Sequence, residues 1–154
     1  MRHTYIKSKE MGATNSFESE VLRHIIMNEA ITNMGDAGGL LQSVLDGDIF
    51  LALFTSDPGE AGSITNEAAY TGYARVPVPR DGTEWEEASG QLRNLNSITF
   101  PECTAGSETI THFGLCKTLA GDDLIIYGEL SSPALMAIQV QPRFEAATFV
   151  VNLD

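Results

Sequence analysis

The chain has 154 residues, with 9 Lys plus Arg against 21 Asp plus Glu and a formal charge of −12. That length suits one domain, and 43% apolar against 19% charged residues is enough for a packed core rather than a disordered chain. The acidity argues against nucleic acid and anionic membrane surfaces, which recruit Lys and Arg, and no run reaches the ~20 apolar residues of a membrane span.

Residues 1–14 are polar and hold the one cluster of positive charge, Arg2, Lys7 and Lys9. They lack the apolar segment of a signal peptide, so synthesis without export is expected. Two readings stand open for them: a frayed terminus, or an arm that docks on the acidic body of a neighbouring copy. A helix follows. Asn15 is a candidate cap, and Glu18 is placed to reach back to the cap amide and to face the positive end of the helix dipole. Phe17, Val21, Leu22, Ile25 and Ile26 recur at helical spacing as one apolar stripe that packs on the sheet or on a partner chain. Gly35, Gly38 and Gly39 break the pattern.

From residue 49 the texture is β. Residues 49–55 form a continuous apolar run, the mark of a strand covered on both faces, and Ser56-Asp57-Pro58-Gly59 turns the chain. Residues 72–78 are extended, with Pro77 and Pro79 assigning them to a sheet edge. Trp85 lies in an acidic, loop-like stretch, and residues 98–100 alternate. Residues 109–117 and 123–130 read as a hairpin turning at Gly121 and Asp122, and residues 135–140 and 144–153 complete the strands. Short strands with Gly/Pro turns imply an antiparallel sandwich or barrel, with the helix attached.

Chemistry is sparse in the sequence. His3, His24 and His112 are scattered, and no nucleophile elbow, phosphate loop or metal-ligand spacing occurs. No catalytic residue, cofactor or metal is therefore expected. Cys103 and Cys116 read as small apolar residues, with a bridge open only if two adjacent strands bring them together. Asp46 and Asp48 read as a solvated turn rather than a calcium loop. Asp81, Glu84, Glu86 and Glu87 surround Trp85. Either Trp85 anchors an acidic contact patch, as Trp does at interface hot spots, or it folds onto the core.

Ordered blocks run through the middle of the chain: Leu51-Ala52-Leu53-Phe54-Thr55-Ser56-Asp57-Pro58-Gly59, Gly72-Tyr73-Ala74-Arg75 and Ile98-Thr99-Phe100-Pro101. Ile110-Thr111-His112-Phe113-Gly114-Leu115 and Tyr127-Gly128-Glu129-Leu130 continue the series. In this order they resemble a family of small virion structural proteins of tailed bacteriophages, labelled head-decoration or tail-fibre-like, over roughly residues 15–153. The polar residues 1–14 and the segment 30–45 are longer than the family's usual linker, and Val76-Pro77-Val78-Pro79 replaces an uninterrupted polar strand.

The resemblance implies a β-sandwich of jelly-roll type, and the residues divide the chain into an arm (1–14), a helix and connecting segment (15–48) and the sandwich itself (49–154). It implies a structural role without an active site, and a homotrimer made in the host cytoplasm and carried on the virion. The leading expectation is a capsid decoration or cement protein on the outer face of the head, bridging subunits of the major capsid protein. The alternative is a tail-fibre, tail-tip or baseplate component meeting other tail proteins. From a different class, a glycan-acting enzyme would need a carboxylate pair in a cleft. Candidate interface residues are Arg2, Lys7, Lys9, Phe17, Val21, Ile25 and Trp85.

Overall fold

Thr14 opens the helix, one residue before the expected cap. Its backbone is extended and its hydroxyl oxygen accepts the Phe17 amide at 3.4 Å, satisfying one of the free donors of the first turn. The computed structural model describes residues 12–153, so Arg2, Lys7 and Lys9 of the expected arm lie outside the described residues. Helix α1 (Asn15–Ile26) carries Glu18 in its first turn and Arg23 and His24 in its last, each on the side the macrodipole favours. The expected return of the Glu18 side chain is replaced by its amide, which donates to the Thr14 carbonyl at 3.0 Å.

The apolar stripe is rotated from the one read in the sequence. Ser19, Leu22 and Ile26 are buried, Val21 and Ile25 lie half-buried, and Phe17 is exposed. Leu22 and Ile26 are fully buried in the core, and Arg23, beside them, pairs with Glu87 at 2.7 Å. The far end is closed by Arg80, whose Nε and Nη2 donate to the carbonyls of Ile25 at 2.6 Å and His24 at 3.0 Å.

The strands are β1 (Asp48–Phe54), β2 (Val76–Pro79), β3 (Trp85–Ala88), β4 (Gln91–Asn94), β5 (Ile98–Thr99), β6 (Glu108–Cys116), β7 (Leu124–Met136), β8 (Arg143–Phe144) and β9 (Val150–Asn152). They form a four-stranded sheet in the order β2-β1-β6-β7, a three-stranded sheet β3-β4-β9 and a pair β5-β8. Every pairing is antiparallel. The chain is thus mainly β with antiparallel sheets and one helix, as expected. A jelly roll sets eight strands in two sheets, whereas the strands here divide four, three and two.

The apolar run forms β1 with Leu51, Ala52, Leu53 and Phe54 all buried, and the two prolines place β2 at the sheet edge. On the inner face Leu51 and Leu53 join Leu115, Leu22, Ile26, Trp85 and Phe149 in one core. The outer face is covered separately, Ala52, Phe54 and Cys116 packing under Ile64 of the connection 55–75. Gly114 is required there: a Cβ would come within 2.3 Å of Leu124 Cδ1 and 3.1 Å of the Phe54 ring.

Two strand expectations change. Residues 85–88 and 91–94 form a hairpin instead of a loop, turning on Ser89 and Gly90, both at positive φ (56° and 81°), as a two-residue turn of this hand requires. Residues 135–136 end β7 instead of starting a new strand: β7 resumes at Ala134 opposite Ile110, after bulging outward between that pair and Glu129 opposite His112.

Candidate functional site

The largest polar constellation of the interior is built on Arg75. Its Nε and Nη2 grip the two oxygens of Glu67, each at 2.8 Å; Nη1 donates to Asp123 Oδ1 at 2.9 Å. The carbonyls of Thr118 and Gly121 accept its other two hydrogens at 2.9 and 2.8 Å. All five guanidinium donors are satisfied. Tyr73 donates its hydroxyl to Glu67 at 2.8 Å and accepts the Leu53 amide at 3.1 Å.

Charges follow this geometry. The paired carboxylate of Glu67 raises the Arg75 pKa further despite burial. Burial pushes the Asp123 carboxyl up, but bonds from Thr118 and Arg75 outweigh it and hold it below the ordinary range. Burial raises Tyr73 far above its usual value, so its hydroxyl keeps its proton. Glu67 and Asp123 are thus both spent on the one guanidinium of Arg75. The arrangement fastens the β6–β7 turn to the connection that covers the sheet.

The other candidate groups are engaged in holding the fold. His112 Nδ1 lies 2.8 Å from the Thr111 hydroxyl, and His24 Nδ1 lies 2.7 Å from the Glu29 carbonyl. Cys103 and Cys116 are both free and buried. Burial pushes the Cys116 thiol up to about 12, which leaves it an unreactive thiol. Asp46 accepts the Asn28 side-chain amide at 2.9 Å. Among the described residues no group of three or more His, Cys, Asp or Glu is placed to hold a metal ion, and no helix is long and apolar enough to cross a membrane.

The interface expected around Trp85 is corrected. Trp85 is 1% exposed, its ring lies edge-on to Phe149, and its Nε1 donates to the Pro79 carbonyl at 2.9 Å, so it presents no surface to a partner. The acids around it are also occupied. Asp81 accepts the amide and hydroxyl of Thr83, which lower its pKa. Glu84 accepts from Asn96, Glu86 pairs with Arg93, and Glu87 accepts from Arg23 and the Gly90 amide. Phe17, Val21 and Ile25 lie on one helix, with Phe17 turned to solvent and Ile25 packed at the margin of the core.

A surface that the sequence reading passed over lies in the connection between α1 and β1. Asn28, buried and at φ 54°, donates to the Ser43 carbonyl at 3.0 Å and accepts the Ser43 amide at 2.8 Å. Ile31 and Leu40 exchange backbone bonds of 3.0 and 2.8 Å. Gly39 permits that approach, since a Cβ there would sit 2.0 Å from the Ile31 carbonyl oxygen. From this fixed loop Leu40, Leu41, Val44 and Leu45 project into solvent, 45%, 73%, 101% and 81% exposed. The signal was present as four apolar residues within six, following the glycine break.

A family model described as podophage GP4 fiber I protein gp80 matches residues 12–152. The chain belongs to that family. No curated protein matches the sequence. The membership bears out the resemblance to phage virion structural proteins and makes this chain a virion structural protein of the fibre type. It does not support capsid decoration, the leading expectation; the fibre alternative fits the family better.

Proposed function

We propose that this chain is a structural subunit of a tail fibre, acting mechanically and without catalysis, in a self-associated form such as the trimer expected from the resemblance. The observation that carries the reading is the match to a fibre family over residues 12–152. Its partners would be copies of itself and neighbouring tail proteins. Several copies on one particle bind a host surface by avidity, so weak single contacts suffice. The non-catalytic part is supported by the state of the interior acids, which are bound to Arg75 or to backbone amides.

The basic residues Arg2, Lys7 and Lys9 would strengthen association with a neighbouring copy. The described body offers many carboxylates, and its own arginines are engaged internally at Glu87, Glu67, Asp123, Glu86 and Glu145. Electron microscopy of intact particles with a gold-labelled antibody against this chain tests the assignment. Label at the tail end is expected. Label spread over the head would overturn the tail-fibre reading in favour of decoration, and absence of label from every particle would overturn a virion role.

A further inference from the structure

The exposed loop has an apolar counterpart on the same chain. A cavity of about 240 Å³ opens among Leu53, Phe100, Leu130, Val140 and Phe144, with Leu135 and Arg143 on its wall. An apolar cavity of about 150 Å³ takes a benzene-sized group, so this one accepts one or two leucine-sized side chains. Leu135 and Ile138 extend the apolar surface outside it, 63% and 65% exposed.

We infer that the loop of one copy inserts into this cavity of the next, in a head-to-tail contact. Four observations carry this. The loop is pinned by Asn28 with its apolar side chains already outward, so little order is lost on docking. Contiguous exposed apolar side chains of this size mark an interaction surface. The charges are complementary: Asp46 and Asp48 follow the loop, while Arg143 stands at the cavity, held only by Glu145 in a pair more than half exposed on both sides. Such a pair contributes little and yields readily to a new partner.

Finally, the two surfaces belong to opposite ends of one strand. The loop enters β1 at Asp48 and the cavity begins at Leu53, about 17 Å further on at ~3.3 Å per residue. Asn28 holds the loop at Ser43 and Asp46, beside the entry to β1, so the cavity at the other end of the strand is left to an adjacent copy. Two different patches meeting between identical copies is the heterologous geometry, which builds a ring where the rotation closes and an open filament where it does not. The inference rests on these surfaces and stands whether the chain is placed on the tail or elsewhere on the virion.

The test is light scattering on the full-length chain, with thermal melting as the check on folding. The wild type should form an oligomer. The loop variant Val44→Asp with Leu45→Asp, and separately the cavity variant Leu135→Asp, should each be monomeric while still melting in one cooperative transition, at a temperature that no longer depends on protein concentration. Mixing the two variants should give a dimer and nothing larger, because one loop and one cavity remain intact. A wild type that stays monomeric at all concentrations would overturn the inference. So would an oligomer that survives Leu135→Asp, which would mean that loops pair with loops or that another surface is used.

Discussion

The connections 28–47 and 56–75 are both long, both irregular and both held by one buried polar side chain, yet they treat their apolar residues in opposite ways. In the second, Arg75 takes two carboxylates out of water, and Ile64, Ala68, Tyr70 and Tyr73 pack inward over the sheet. In the first, Asn28 holds Ser43 and Asp46 while Leu41, Val44 and Leu45 face outward. The difference lies in what each anchor costs to bury. An ionic clasp is stable only when every donor is met and water is excluded, so it demands a cover. A neutral amide needs three hydrogen bonds and no cover, and so can fix a loop at the surface.

The largest expected effect comes from breaking the clasp. Arg75→Met should cost about 3–5 kcal/mol, since it strands two buried carboxylates; urea denaturation measures this, and a loss near zero would show that the clasp is wet. Leu22→Ala, in the core beneath both regions, should cost about 2–5 kcal/mol in the same assay.

Asn28→Gly keeps the positive φ but loses the side-chain bonds. It should cost no more than about 1–3 kcal/mol, with limited proteolysis showing new cleavage within residues 30–46. If cleavage stays absent, the loop is held by something other than Asn28. Acid separates the regions further. Asp123 is depressed in the folded state, so its contribution is complete at neutral pH, begins to fall as pH drops toward the ordinary value of 3.8, and is gone below its folded value. On acidification, amide exchange should rise first in the 118–122 turn, while the Asn28–Ser43 bonds of the first loop, made between uncharged amides, persist. Smallest of all, Val44→Ser should leave the stability of the separated monomer within about 0.5 kcal/mol, because Val44 touches nothing that it shields.

Legibility in the sequence followed the range of the interaction. Strand β1, the edge strand β2 and the β6–β7 hairpin were readable because a continuous apolar run, two prolines and a Gly-Asp turn act locally. The β3–β4 hairpin was missed because glutamates disfavour strands in isolation, although its Ser89-Gly90 turn was visible. The helix stripe was misrotated because the face it buries is chosen by core residues far along the chain, such as Trp85 and Phe149. The Arg75 clasp spans 8 residues to Glu67 and 48 to Asp123, and nothing local marks either partner. At the candidate site, Trp85 drew attention by its composition, whereas the outward loop looked like a mere connection.

The pinned loop also has a meaning across generations of the virus. Leu41, Val44 and Leu45 contribute nothing to the interior, while Asn28, Gly39 and Ser43 preserve the loop's shape. If the loop meets a neighbouring copy as inferred, residues that make that contact are separated from residues that decide how the chain folds. Substitutions in the former can then change assembly while the scaffold stays folded.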